Sequence, residues 1–263
     1  YDGVLQNYKS LEELRKAERF AKDHLKTNPP NRDYFLAQLG IVRRLRDDEE
    51  GAREAFEEIL SQVDKNPGRV YPITRLFQEQ QLFREALEAF ERAEKQNPNL
   101  MFHYQKAQIY GELGDIEKVY EELLILVEKQ PAYLQNIRGL LAQSLSDDPD
   151  DPTNVFLKEQ ILRRIQESND AVFTELLVWV FIQESNFKGA FRQLRGLDMR
   201  EDKQQREIFE FGMTCMRNEE YAVAEMSFDY IVSKGNVSPA YIPAQIGLLK
   251  AKNQQLFGAQ RID

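Results

Sequence analysis

Cysteine is nearly missing from this chain of 263 residues: Cys215 is the only one. No intramolecular disulfide can form, and no cysteine cluster is available to hold zinc. Histidine is almost as scarce, with His24 and His103 the only two. Basic residues are outnumbered, 35 against 44 acidic, for a formal charge of −9. Duplex nucleic acid needs a basic surface to neutralise its phosphates, and an anionic membrane surface needs the same, so both are disfavoured as partners. Long apolar runs are lacking too. The most apolar stretch, Ala171–Ile182, is short and carries Glu175, so no membrane insertion is expected. No Gly-rich phosphate loop, GxSxG elbow or HExxH helix occurs. The sequence opens on Tyr1 rather than methionine and ends on Asp263, which reads as part of a longer array; the compartment stays open.

What the chain does have is a period. Ala86, Phe90, Ala93 and Pro98 recur as Val119, Leu123, Leu126 and Pro131, a shift of 33. Ala52, Phe56 and Ile59 precede them by 34, and Ala190, Leu194, Leu197 are followed 34 residues on by Ala224, Phe228, Ile231. Spacings of four and three place residues on one helical face. The small residue permits close approach of a neighbouring helix, the large ones fill the space beyond, and proline ends the helix. A preceding helix completes each unit: Tyr104, Ala107 and Tyr110 before a Gly114-Asp115 turn, Phe211, Gly212 and Cys215 before Asn218, and Leu39-Gly40 ahead of Ala52. A period of 33–34 residues made of two helices predicts stacked helix pairs.

On these residues the chain resembles the tetratricopeptide repeat family, whose 34-residue unit carries Leu-Gly and Tyr on its first helix and Ala, Phe, Ala, Pro on its second. Leu39-Gly40, Ala52 and Phe56 match in one unit, Ala86, Phe90, Ala93 and Pro98 in the next, Tyr110, Gly114 and Pro131 in the third, and Gly212, Ala224 and Phe228 in the last. The likeness covers about 32–131 and 170–235. It implies an all-α, right-handed superhelical solenoid of antiparallel helix pairs. Within it the expected divisions are an N-terminal helix or half-repeat over 1–31, three repeats over 32–131, and an irregular helix pair with an acidic loop over 132–169. Two further repeats over 170–236 and a C-terminal helix and tail over 237–263 complete the array. Ser10-Leu11-Glu12-Glu13 reads as a capping box opening the first long helix, with a short or absent helix before Tyr8. The loop from Asp147 to Pro152 is longer than the family uses and is expected to alter the curvature there, with Thr153 or Asn154 capping the helix that follows.

Candidate chemistry is thin. His24 and His103 fall in different units. Cys215 lies on a buried stripe, where free cysteine packs as a small hydrophobe. The acidic loop has two prolines and no glycine, unlike a calcium loop. The pairs Arg53-Glu54, Glu57-Glu58, Glu121-Glu122 and Glu219-Glu220 read as the solvated faces of helices. Nothing points to an enzyme, a metal or a cofactor.

The resemblance implies that first helices line a concave groove. Counting fifteen residues back from each second-helix small residue gives Ala37, Tyr71, Tyr104, Glu175 and Phe209; counting eleven back gives Ile41, Arg75, Gln108, Trp179 and Met213. The expected partner-binding residues are Tyr71, Arg75, Tyr104, Gln108, Trp179, Phe209 and Met213, a mix of aromatic, amide and arginine side chains suited to protein contact. Chaperone-tail-binding members of the family carry a lysine and asparagine clamp at these offsets; Ala37, Ile41, Tyr71 and Arg75 stand there instead, so that ligand is not implied. The function expected is a scaffold or adaptor that holds a peptide or protein. The alternatives are a structural spacer and a regulatory repeat segment of a larger protein.

Overall fold

The computed structural model describes residues 1–146, 148–168, 170–236 and 238–259. Asp147 of the acidic loop, Asn169 at the expected unit boundary, and the tail 260–263 lie outside the described residues. Among those described, the chain is all-α and has no strand. The α-helices take up more than two thirds of it. They fall into two compact units, 1–115 and 116–263.

The first unit contains α1 (Asp2–Ser10), α2 (Leu14–Thr27), α3 (Arg32–Arg44), α4 (Glu49–Lys65), α5 (Val70–Glu79), α6 (Phe83–Gln96) and α7 (His103–Glu112). Successive helices pack as antiparallel pairs, α1 on α2, α3 on α4 and α5 on α6, as short connections require. The second unit contains α8 (Ile116–Lys129), α9 (Leu134–Leu141), α10 (Pro152–Ser168), α11 (Ala171–Gln183), α12 (Phe187–Glu201), α13 (Gln205–Arg217), α14 (Tyr221–Ser233) and α15 (Tyr241–Ala259). Here α11 pairs with α12, α13 with α14, and α15 packs along α14, while α10 bridges α8 and α11.

The punctuation is regular. Proline follows the ends of α4, α6 and α8: these helices end at Lys65, Gln96 and Lys129, ahead of Pro67, Pro98 and Pro131, of which Pro98 and Pro131 stand where the spacing places them. Pro29, Pro67 and Pro131 each open a short 3-10 turn that redirects the chain into the next helix. The turns inside pairs share one device. Glu12, Asp47, Gln81, Gly114, Ser185 and Glu219 all have positive φ, between 55° and 73°, and they recur about every 34 residues. Only one of them is glycine, so non-glycine residues accept the left-handed conformation at most of these turns at some local cost. Asp48 and Asn186 then start α4 and α12 by accepting from the backbone N–H of Gly51 and Gly189, both at 2.9 Å. Such a cap contributes about 1 kcal/mol.

The stripes read from the sequence form the core. Ala52, Phe56, Ile59, Ala86, Phe90, Ala93, Ala190, Leu194, Leu197, Ala224, Phe228 and Ile231 are all buried. Each phenylalanine of this kind contributes roughly 2–3 kcal/mol by leaving water. Phe56 lies against the backbone of Gly40, where an added Cβ would stand 2.4 Å from its ring. Sixteen residues separate that pair, and the same separation recurs between Gly212 and Phe228, where the distance would be 2.7 Å. Gly247 of α15 faces the same Phe228 ring, and a Cβ there would come within 2.8 Å. Two glycine backbones thus approach the tip of one phenyl ring.

Four local expectations are corrected. The capping box does not form: Ser10 ends α1 and its hydroxyl donates to the carbonyl of Gln6 at 2.9 Å, while Glu13 precedes α2 with no side-chain cap. In α8 Val119 is only half-buried, and the neighbouring Tyr120 is the fully buried residue, donating to the carbonyl of Ser144 at 3.3 Å. Asp151 rather than Thr153 or Asn154 caps α10, accepting from the Thr153 backbone at 2.8 Å. Asn154 is fully buried and ties the loop down, donating to the carbonyls of Ser146 and Asp148. Glu219 and Glu220 occupy the turn before α14 rather than a helical face.

Candidate functional site

The expected binding residues all stand on first helices. Tyr71 and Arg75 project from α5, Tyr104 and Gln108 from α7, Trp179 from α11, and Phe209 and Met213 from α13. Their exposure divides them. Tyr71, Arg75, Tyr104, Gln108 and Met213 are exposed, whereas Trp179 and Phe209 are half-buried.

In the first unit the two tyrosines are not ring partners. Tyr71 meets Phe102 edge-on, with centroids 5.8 Å apart, and no ring contact joins Tyr71 to Tyr104 among the described residues. Phe102 lies seventeen residues before Val119, on the near edge of the next first helix. A shift of 33 places Tyr71 and Tyr104 at equivalent points of successive helices, while the Tyr71 ring meets Phe102, the residue just ahead of α7. Arg75 pairs with Glu79 on its own helix at 2.9 Å, and Gln108 approaches the Tyr104 hydroxyl at 3.4 Å.

The same rule shapes the second unit. A cleft of about 370 Å³ opens between α11 and α13. One wall is Glu175, Val178, Trp179 and Ile182 from α11; the facing wall is Arg206, Glu207, Glu210 and Thr214 from α13. These four α13 residues lie eighteen, seventeen, fourteen and ten before Ala224, positions a count of fifteen and eleven passes over. Phe209 and Met213 therefore do not line this cleft. Phe209 turns toward the core and packs near Phe228, with centroids 5.7 Å apart. Arg138 of α9 closes one end, donating through Nη2 to the backbone carbonyl of Glu175 at 3.0 Å. Burial lowers the pKa of its guanidinium. The Glu175 carboxyl is held above the usual carboxylate range, first by partial burial, against an opposing pull from the charge of Arg138; the negative charge of Glu207 adds a smaller upward push.

A larger cleft, about 920 Å³, lies in the first unit among Arg44, Glu57, Glu85, Glu88 and Arg92. Most of these charges are paired with one another. Arg92 holds Glu57 at 2.6 Å, Glu88 at 2.5 Å and Asp64 at 3.0 Å, and Arg44 pairs with Glu85. The Arg92 hydrogen bond keeps Glu57 below the ordinary carboxylate range. The network is a charged clasp that ties α3 and α4 to α6.

Residues considered for chemistry take structural places. His24 stacks on Phe35 with centroids 5.0 Å apart and lies against Phe20, and its Nδ1 bonds the Phe20 carbonyl at 2.8 Å. His103 opens α7. No group of three or more His, Cys, Asp or Glu suited to a metal ion is found among the described residues, and no helix described is long and apolar enough to cross a membrane. Cys215 is fully buried on α13, and burial pushes its thiol up to about 12. Since the thiolate is the reactive form, native protein at pH 8 is expected to resist a disulfide-exchange reagent for hours and to react stoichiometrically once unfolded in guanidinium. Complete labelling of native protein within minutes would show that Cys215 is reachable.

No protein-family model matches this chain, and no curated protein matches it. Among solved structures it is similar to a tetratricopeptide repeat protein from Parabacteroides merdae, with 15% identity over 94% of this chain and 96% of that one, at a TM-score of 0.29. It is similar also to yeast Tom70, with 16% identity over 93% of this chain and 60% of that one, at 0.33. A chain in the structure of Naa15/Naa10 bound to HypK-THB gives 14% identity over 95% of this chain and 38% of that one, at 0.30. This chain thus spans less than two thirds of the last two. The all-α fold of sequential antiparallel helix pairs rests on the packing described above, not on these likenesses.

Proposed function

We propose that this protein is a non-catalytic scaffold or adaptor that binds a peptide or protein segment along the edges of its first helices. The observation that carries this reading is the cleft between α11 and α13, where the chain's only tryptophan, Trp179, stands half-buried beside unneutralised polar groups. A rigid aromatic wall with polar groups at its rim is a common anchor for protein contact. Tyr71 and Tyr104 extend the same kind of surface in the first unit, 58% and 39% exposed.

Both tyrosines can be removed without opening the core. The double variant Tyr71→Ala, Tyr104→Ala is expected to keep its melting temperature within a few degrees. A peptide selected by panning a displayed random library against the full chain, and competing at these tyrosines, should lose about 2–4 kcal/mol of affinity for it. A large fall in melting temperature would make these residues packing elements and retire the patch. Failure of such a library to yield any peptide that competes at Tyr71, Tyr104 or Trp179 would retire the binding function.

One feature favours the spacer or regulatory-segment alternative. Helix α15 presents Ile242, Ile246, Leu249, Leu256 and Phe257 to solvent, each more than half exposed. An apolar stripe of this length suits packing against a further element.

A further inference from the structure

The α11–α13 cleft carries a charge pattern that its counterpart in the first unit lacks. Tyr71 precedes Ala86 by fifteen residues and Phe102 precedes Val119 by seventeen, and there ring meets ring. At the same two offsets the second unit has Glu175, before Ala190, and Glu207, before Ala224. The repeat register therefore sets carboxylate toward carboxylate where the first unit sets an aromatic pair. Both line the cleft, with Glu210 one turn beyond Glu207 and Trp179 one turn beyond Glu175.

The local cations offset this only in part: the charge of Arg138 favours the Glu175 carboxylate. Arg138 spends its hydrogen bond on the main-chain carbonyl of Glu175, and its Nε is buried without a hydrogen-bond partner. Arg206, Glu207 and Glu210 form no ion pair among the described residues. Three carboxylates thus face two guanidinium groups in the lining. Like charges at close range raise each other's energy and favour a counter-charge between them. Apart from Thr214, the rest of the lining is apolar or aromatic: Val178, Trp179, Ile182, Leu194 and Phe211. A long side chain that buries a methylene stem and keeps a charged head at the rim fits such a surface, and an indole face adds cation–π attraction. An acidic peptide would meet the net charge of the cleft with the wrong sign.

We infer that this cleft receives a lysine or arginine side chain of a partner peptide, its stem against Trp179 and Phe211 and its cationic head between Glu175 and Glu207. The inference rests on the peptide-binding reading above and names the chemistry that this part of the surface selects. It makes the second unit a reader of basic residues, whereas the exposed tyrosines of the first unit offer no matching charge.

The test uses the full chain and four pools of synthetic heptapeptides, with randomised uncharged flanks and a central lysine, arginine, norleucine or glutamate. Trp179, the only tryptophan, reports binding by its fluorescence. The lysine and arginine pools are expected to bind at least about tenfold more tightly than norleucine, a difference of about 1.4 kcal/mol. The variant Glu175→Gln, Glu207→Gln should reduce that preference to within about twofold. It should leave the norleucine pool's affinity and the melting temperature unchanged, since both residues are exposed. Equal binding of lysine and norleucine pools, or a preference that survives in the glutamine variant, overturns the cation site while leaving peptide binding intact. Tightest binding by the glutamate pool also overturns it and assigns the cleft to Arg138 and Arg206. If no pool perturbs Trp179, the cleft is not a peptide site, and both readings fail there.

Discussion

Replacing Asp198 with alanine is expected to lower the stability of the second unit by about 3–5 kcal/mol, the range for stranding one partner of a buried ion pair. Asp198 sits at the end of α12 with its side chain fully buried. It accepts from the backbone N–H of Gln204 at 2.9 Å and from the Tyr230 hydroxyl at 2.9 Å, and it pairs with Lys234. A single carboxylate thereby fixes the end of α12, the turn that follows it, and the far end of α14. Removing it leaves a hydroxyl, a backbone donor and an ammonium group without their common acceptor. Lys234 keeps Asp202 at 2.5 Å, but that residue is exposed and holds the lysine from the solvent side. At about 2–4 °C per kcal/mol, the apparent melting temperature should drop by on the order of 10 °C. Asp198→Asn, which can still accept from two donors, should lose less. A calorimetric transition for the alanine variant within 2–3 °C of the parent would show that the cluster is ornamental.

Gly212→Val should be nearly as damaging, for a reason of shape alone. The added Cβ would stand 2.7 Å from Cε1 of the Phe228 ring, and the same Cε1–Cζ edge is already approached by Gly247. Overpacking of this kind costs about 1–3 kcal/mol where neighbours can yield, and the second close backbone places the expected loss at the top of that range. Coupling to Phe228→Leu should restore part of the stability, since the smaller side chain relieves the contact; a purely local helix effect would not be rescued. Gly196 provides the contrast. It lies within α12, and an added Cβ meets nothing within 4 Å, so Gly196→Ala should stabilise by about 0.5–1 kcal/mol through helix propensity. If both glycine substitutions act alike in denaturant titrations, the steric account is wrong.

The helix pairs were legible because their signals are redundant. Small–large stripes, terminal prolines and a steady 33–34 spacing agree from Ala52 to Ile231, and misreading one residue leaves the pattern standing. The turns inside the pairs were not legible. Gly114 advertises a left-handed residue, but Glu12, Asp47, Gln81, Ser185 and Glu219 adopt the same conformation with side chains that do not favour it. Packing of the two helices imposes it, and local sequence preference is overruled. The Ser10 box failed for a related reason: the hydroxyl had a nearer acceptor in the carbonyl of Gln6, on the helix it terminates. At the candidate site the sequence exposed one edge of each first helix. Tyr71 and Trp179 were found by counting from the second helices, but a cleft has two walls. Glu207 and Glu210 come from the next helix at different offsets. Their signal was present as a 32-residue separation between Glu175 and Glu207, slightly off the repeat.

The grip on Phe228 also sets a clock. A phenyl ring turns over about its own axis only when its surroundings swell, and here its Cε1–Cζ edge is approached by glycines of both α13 and α15, whose main chain cannot swing aside as a side chain would. Each half-turn of the ring therefore needs the two helices to part briefly, so its flip rate counts the openings of the C-terminal helix. Resonances of the two ring edges that stay distinct at ambient temperature would mark α15 as a steadily seated end of the unit. Merged resonances would mark a helix that lifts away many times a second.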